Sequence, residues 1–303
     1  MITVFGSVNC DLVVSVDALP VPGETVKGPD YQIFPGGKGG NQALAARCAG
    51  ADVQLVAAVG RDDFAGAALA GLDAHGVDLT GVHELPGPTG VALIAVDRRG
   101  ENLIVVASGA NDRADAGWLD AVLSADDVLV MQLEVPVSQT ENAIGLAAER
   151  GATSILNAAP AAKVSPATLE ALSILVVNAQ EAASLAGDIG LSGDPEPFAR
   201  ALWTRFRTAA VITRGAAGAV GYDGADFHAV AAPRITAIDT TGAGDAFTGA
   251  FAAAIDGKRP FDRALVEGVA AGALACKQTG AQSSLPHAGP ICTLADEITT
   301  GNA

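Results

Sequence analysis

A rhythm governs what this chain can fold into. Short unbroken apolar runs alternate with stretches of helical pattern. The runs are Ile2–Gly6, Val53–Val59, Val128–Leu133, Ser154–Asn157, Ile174–Val177 and Ala209–Thr213. They are continuous and not alternating, so each predicts a strand covered on both faces, as parallel strands between helical layers are. Between them, Gly40–Cys48, Phe64–His75, Ser138–Arg150 and Pro197–Arg207 read as helices. In the last, Phe198, Leu202 and Phe206 recur every four residues and lay down one apolar stripe, with Trp203 beside it. Repeated strand, helix, strand predicts a doubly wound, mostly parallel α/β sheet flanked by helices.

Two segments leave that rhythm. Val91–Val96 and Asn102–Ala107 flank the turn-rich quartet Asp97-Arg98-Arg99-Gly100 and predict a β-hairpin. Leu12–Val16 and Val26–Phe34 also read as extended, punctuated by Pro20, Pro22 and Gly23. Together they predict a small β-sheet lid formed by about 11–35 and 88–108. Helices are expected again at Gly244–Ile255, Asp262–Gln278 and from Pro290 to about Thr299. No Pro-, Gly- or Ser-rich linker and no internal repeat divides the chain, so one domain over 1–303 is expected.

Charge and composition exclude several classes. Lys and Arg number 18 against 34 Asp and Glu, a net charge of −16. That disfavours nucleic acid as a partner. It leaves room for a phosphorylated small molecule held by backbone amides, a helix N-terminus and a metal ion. The mean hydropathy of +0.34 comes from alanine and valine, and no run approaches the ~20 apolar residues of a membrane helix. The segment MITVFGSVNCDLVV has no basic region and soon reaches Asn9 and Asp11, so no secretory signal and a cytoplasmic enzyme are expected. Cys10, Cys48, Cys276 and Cys292 form no CxxC pair and read as free buried thiols. His75, His83, His228 and His287 show no ligand spacing, and neither HExxH nor GxSxG occurs.

Three motifs carry chemistry. In Asp239-Thr240-Thr241-Gly242-Ala243-Gly244-Asp245, glycines precede a helix whose freed N–H groups and dipole favour an anion. Asp245 in its first turn makes sense as a base that takes a proton from a nucleophile while the amides hold a phosphoryl group; alternatively it caps the helix. Phe247 replaces the third glycine of a dinucleotide fingerprint. In Pro35-Gly36-Gly37-Lys38-Gly39-Gly40-Asn41, Gly39 follows the lysine where a Walker A loop needs Ser or Thr, so the segment is a close-approach turn. Lys38 reads as a phosphate clamp or, more simply, as an organiser of that turn. Third, Gly6-Ser7-Val8-Asn9-Cys10-Asp11 ends the first strand, where open α/β sheets place ligands; Asn9 and Asp11 suit sugar hydroxyls or an ordinary turn.

These segments, with GRDDFAG at 60–66, TGVALI at 89–94, MQLE at 131–134, NAAPA at 157–161, NAQE at 178–181 and GAQSSLP at 280–286, resemble the ribokinase (PfkB-type) carbohydrate kinase family along nearly the whole chain. MQLE, NAAPA and GAQSSLP point to its ribose-phosphorylating branch. Departures are small: Val177 where proline is frequent, Ala158 for a proline, and Gly40 for an alanine.

The resemblance implies transfer of the γ-phosphoryl group of ATP to the 5-hydroxyl of D-ribose. It implies that Asn9 and Asp11 bind sugar hydroxyls, that Gly37, Lys38, Gly39, Gly40 and Asn41 wrap the sugar, and that Glu134 adds an acidic contact. Asp245 becomes the catalytic base, with Gly242, Ala243 and Gly244 as the anion hole. Asn178 and Glu181 arrange Mg²⁺ and the phosphates, partly through water; Thr213, Arg214, Gly215, Ala216, Ala217 and Gly218 flank the nucleotide, as does Gly244. Asp239, Thr241, Ala275, Gln278, Gly280 and Ser284 enclose K⁺, several through backbone carbonyls. Apolar alternation at Leu12, Val14 and Val16 adds an expected homodimer through the lid. The competing readings are a sibling kinase acting on deoxyribose, fructose or a nucleoside, and a non-catalytic sugar sensor. Aromatic residues, at 4%, offer few faces for a nucleobase.

Overall fold

A computed structural model describes residues 1–301; the last two residues of the expected domain, 302 and 303, lie outside the described residues. The chain begins with β1 (Ile2–Phe5), β2 (Asn9–Ser15), β3 (Tyr31–Gly36), α1 (Lys38–Cys48), β4 (Val53–Val59), α2 (Asp63–Ala74) and β5 (Asp78–Glu84). It continues through β6 (Gly90–Val96), β7 (Asn102–Ala107), β8 (Val128–Met131), α3 (Val137–Arg150), β9 (Thr153–Asn157), α4 (Pro166–Ala171) and β10 (Ile174–Asn178). Then come α5 (Ala179–Ile189), α6 (Pro195–Phe206), β11 (Ala209–Thr213), β12 (Ala219–Tyr222), β13 (Phe227–Val230), α7 (Ala243–Asp256), α8 (Phe261–Ala275) and α9 (Ala288–Thr300).

The main sheet has nine strands in the order β13-β12-β11-β10-β9-β8-β1-β4-β5. All neighbours from β11 to β5 pair parallel; β12 and β13 add an antiparallel edge. Alternate residues of one strand enter opposite layers of core. In β10, Ile174 and Val176 face the layer of α1, α7 and α8, while Leu175 and Val177 face that of α3, α5 and α6. Both faces are covered, which is why these strands read as unbroken apolar runs. Phe251 of α7 is fully buried. Burying a side chain of that size contributes about 1.5–3 kcal/mol.

From β1 the chain runs to β4 and β5 on one side and returns to β8, β9 and β10 on the other. The carboxyl ends of β1 and β8 therefore border a topological switch point, where open α/β sheets bind ligands. Above them stands the lid, a four-stranded sheet in the order β3-β2-β6-β7. Its hairpin falls where expected, with Asp97 accepting from the amides of Arg99 and Glu101 to close the turn. Residues 26–30, expected to be extended, form no strand; β3 begins at Tyr31. Five of the six runs are strands essentially as expected, and the run to Leu133 stops at Met131. Among the described residues no helix is long and apolar enough to cross a membrane. Cys10 and Cys48 are buried, but Cys276 and Cys292 are only half-buried, against the expectation for all four.

Helices α1 and α7 pack with almost no spacer. A Cβ placed on Gly249 would lie 2.6 Å from the amide nitrogen of Ala46, so only glycine permits this approach. The small residues facing it from α1, Ala45 and Ala46, are buried. This closeness brings two consecutive polar side chains of α1 against the first turn of α7.

Candidate active site

Asp245 lies in the first turn of α7 and is 6% exposed. Asn41 Nδ2 donates to its Oδ2 at 3.0 Å, and Gln42 Nε2 donates to its Oδ1 at 2.9 Å. Burial pushes its carboxyl above the usual range, while the Lys38 charge and the two amide donors pull it down. The helix entry is bent by Gly242, whose φ of 74° lies in the left-handed region that favours glycine. The amide of Ala243 is tied to Thr240 O at 3.2 Å. The amides of Gly244 and Asp245 belong to the open first turn, where no intrahelical acceptor exists. Of the Gly242, Ala243 and Gly244 set expected from the sequence, the Ala243 amide is the one turned to a backbone carbonyl.

Asn9 and Asp11 sit at the base of the lid on β2. Asn9 Oδ1 accepts from Asn111 Nδ2 at 2.7 Å, which leaves the Asn9 amide NH₂ to address a ligand. Asn111 also exchanges bonds with both backbone groups of Val8. Asp11 is pushed up to about 6 by burial, reinforced by the charges of Glu134 and Asp245. Three carboxylates thus share one cleft. Glu134 follows β8; its Oε2 accepts from Ser7 Oγ at 2.6 Å and from the Lys38 amide at 2.9 Å. Its other oxygen remains for a ligand. Lys38 therefore orders the glycine turn through its backbone. Its ammonium acts electrostatically on both Asp245 and Glu181, so the side chain reaches toward the span between them. Gly39 and Gly40 are buried in the same turn, and the Gly39 amide donates to Ser7 Oγ.

Asn178 and Glu181 form a capping box on α5: Asn178 Oδ1 accepts from the amides of Gln180 and Glu181, and Glu181 Oε2 accepts from the Asn178 amide. Each keeps one polar atom beyond the cap, Asn178 Nδ2 and Glu181 Oε1. Burial raises the Glu181 carboxyl. The segment Thr213 to Gly218 leaves β11, and Arg214, Gly215, Ala216 and Ala217 are exposed. Asp239 joins two backbone segments, accepting from the Thr241 amide on Oδ1 and the Gly280 amide on Oδ2. Ala275 O accepts from the Gln278 amide, and Ser284 Oγ donates to Ala281 O. Asp239 thus ties the loop of Thr241 to that of Gly280, and Ser284 bonds within the following turn.

Residues 1–288 match the model of the pfkB family carbohydrate kinases. The chain belongs to the pfkB family of carbohydrate kinases. It is 36% identical to a ribokinase of Haemophilus influenzae over 290 residues, 94% of this chain and 95% of that one. The crystal structure of a ribokinase from Thermotoga maritima superposes with a TM-score of 0.89 at 32% identity, covering 97% of this chain and 99% of that one. An Arabidopsis thaliana ribokinase complexed with ribose and ATP gives a TM-score of 0.86 at 26% identity, covering 97% and 98%. Within this kinase, sequence reading missed Gln42, Gln132 and Asn111. The signal available was amides inside otherwise apolar or glycine-rich segments, which demand a buried partner.

Proposed function

We propose that this kinase transfers the γ-phosphoryl group of ATP to the 5-hydroxyl of D-ribose, with Asp245 as general base. The observation that carries the reading is the meeting of Asp245, held at both oxygens, with the open N-terminus of its own helix. Phosphoryl transfer asks for positioning, charge stabilisation and a proton acceptor. Asn9, Asp11, Asn41 and Glu134 present acceptors and donors to a small polyol. The sugar 5-hydroxyl gives its proton to Asp245 as it attacks the γ-phosphorus. The amides of Gly244 and Asp245 stabilise the charge developing on the transferred group. Lys38 adds a positive charge on the same side. A lid over the cleft excludes water, the competing acceptor. A sugar sensor would need neither base nor open helix end.

Mg²⁺ bound with ATP would neutralise charge on the triphosphate and on the group in transfer. Among the described residues no group of three or more His, Cys, Asp or Glu is placed to hold a metal ion. Asn178 and Glu181 fit an outer role there. The reaction is assigned to the cytoplasm, where ATP is supplied. The decisive experiment is a coupled ADP-release assay over ribose, deoxyribose, fructose and nucleosides. Ribose should give the highest kcat/KM, and a nucleoside leading the panel overturns the reading.

Asp11 makes ribose binding proton-linked. Its folded value of about 6 exceeds its ordinary 3.8, so the free protein binds an extra proton between those values. Stability therefore falls as pH rises through that window. A sugar hydroxyl donating to Asp11 favours the ionised form, so binding should release up to about half a proton at pH 6. Titration calorimetry in two buffers of different ionisation enthalpy reads this; equal heats at pH 6 refute it.

The cluster around Asp239 and Gly280 offers hard oxygen donors of low total charge, which suit K⁺ better than a divalent ion. The donors are the Asp239 carboxylate, backbone carbonyls of Thr241, Ala275, Gln278 and Gly280, and the Ser284 hydroxyl. Holding that loop fixes the peptide planes that lead into α7. Turnover should rise severalfold with K⁺, and saturate. Equal rates in K⁺, Na⁺ and a bulky organic cation at matched ionic strength count against it.

The lid also leaves apolar groups on its outer face. Tyr31, Ile33, Leu93 and Val105 are each more than 40% exposed and share that face with Leu12 and Val14. With Phe64 they line a depression of about 460 Å³. A second copy's lid fits such a surface, and the chain should run as a dimer in light scattering at micromolar concentration. Leu93→Asp should make it monomeric; a wild-type monomer refutes the dimer.

A further inference from the structure

Among the described residues, three buried side-chain polar atoms have no hydrogen-bond partner, and two of them are Gln132 Oε1 and Gln282 Oε1. Both sit at the far end of a chain of amides that finishes on Asp245. On one side, Gln132 Nε2 donates to Gln42 Oε1 at 2.7 Å, and Gln42 Nε2 donates to Asp245 Oδ1 at 2.9 Å. On the other, Gln282 Nε2 donates to Asn41 Oδ1 at 3.1 Å, and Asn41 Nδ2 donates to Asp245 Oδ2 at 3.0 Å.

An ionised carboxylate can only accept. The two inner amides must therefore turn NH₂ toward Asp245, and their carbonyls face away. Those carbonyls need donors, so the outer amides must turn NH₂ inward too. Gln42 Nε2 also donates to Asn157 Oδ1 at 2.9 Å, which fixes its orientation a second time. The carbonyl left over appears on each outer glutamine, with no donor to meet it. Such an orphan is costly, and native proteins hold few. Here both have the same polarity and lead back to the same carboxylate. Gln42 and Gln132 are fully buried, so neither is a solvated bystander.

We infer that Gln42, Gln132 and Gln282 are positioning residues that act through two amide relays to hold the Asp245 carboxylate ionised and aimed at the acceptor hydroxyl. The inference rests on Asp245 being the base and says what keeps it one in a buried site. Burial works against its charge, and the inner donors oppose that effect. The other charged groups facing it are Lys38 of α1, Glu134 after β8 and Asp11 of β2. The relays also join the loop carrying Gln282 to the base, although neither glutamine at the outer end touches Asp245.

The test uses the full-length protein with ATP and ribose. Gln132→Met keeps the side chain's length and removes both the donor and the orphaned carbonyl. The orphan passes to Gln42 Oε1, so Tm should hold, and KM for ribose should stay within about twofold. The kcat should fall by roughly 3–10-fold, and the acidic limb of its pH profile should move up by about half a unit. Gln42→Met removes the direct bond, and that limb should move up by about one unit. The double variant should match Gln42→Met alone, because Gln132 acts only through Gln42. Gln282 is partly exposed, so Gln282→Met should fold even if the buried variants do not; its effect should multiply with that of Gln132→Met. Wild-type kcat and pH profile in Gln132→Met and Gln282→Met overturn the relays. So does a fall in kcat accompanied by a lower Tm and an unmoved acidic limb. Asp245→Asn separates the two readings: if its kcat stays within about threefold of wild type, the base assignment fails. If it is inactive while the glutamine variants behave as wild type, only the relays fail.

Discussion

Asp245→Asn should bind ribose and lose turnover by about 10²–10⁴-fold, the usual worth of a general base. The substitution preserves size in a site that is nearly closed to solvent, so loss from repacking is small. It removes the only group in the first turn of α7 able to accept a proton beside the open amides. It also places an NH₂ among two inward-turned NH₂ groups, those of Asn41 and Gln42. One donor must then go without an acceptor, at a cost of about 1–3 kcal/mol. A buried charge disappears at the same time and offsets part of that cost. Calorimetry with ribose and a coupled assay on the same sample separate binding from chemistry. A variant within threefold of wild-type kcat means that another group takes the proton.

Chelating divalent cations should abolish activity, by at least about 10³-fold, and added Mg²⁺ should restore it. A metal that neutralises transition-state charge is worth several kcal/mol. This protein has little to put in its place. Its net charge is −16, and the sugar end of the cleft holds Asp11, Glu134 and Asp245. Among the described residues, Lys38 is the cation whose charge reaches both Asp245 and Glu181. Against a triphosphate, one ammonium among three carboxylates is insufficient. Residual turnover above a few per cent in EDTA means that the amides and Lys38 neutralise the phosphates unaided.

The parts of the fold most legible in the sequence were those whose environment is uniform. β10 is apolar at every buried position because helices cover both its faces, and β1 and β4 are apolar at all but one buried position each, Thr3 and Gln54. β5 was missed for the opposite reason. It is an edge strand, and Asp78-Leu-Thr-Gly-Val-His-Glu84 mixes buried with exposed positions. β12 and β13 close the other edge and pair antiparallel, where local sequence gives little sign of the partner. In the site, Asp245 and the glycine turn were legible because helix ends and glycines carry local signals. The partnership of Asn178 with Glu181 is equally local, a capping box, although the motif was read only for its ligand role. The work of Gln42 was not legible. It depends on which residue α7 sets against α1 across more than two hundred positions, and Gly249 decides that spacing from the far helix. Gln132 stood inside a recognised motif whose neighbour, Glu134, drew the attention.

The crossing of α1 with α7 has a consequence for synthesis. The sugar-facing side chains emerge early from the ribosome, on β2 and α1, whereas the base arrives only with residue 245. Its clasp is completed later still, by Gln282. A nascent or proteolysed chain ending before α7 thus lacks Asp245, and it leaves α1 without the helix that covers Ala45 and Ala46. Contacts this distant in sequence form late and slowly. Catalytic competence in this kinase therefore reports on completion of almost the entire chain.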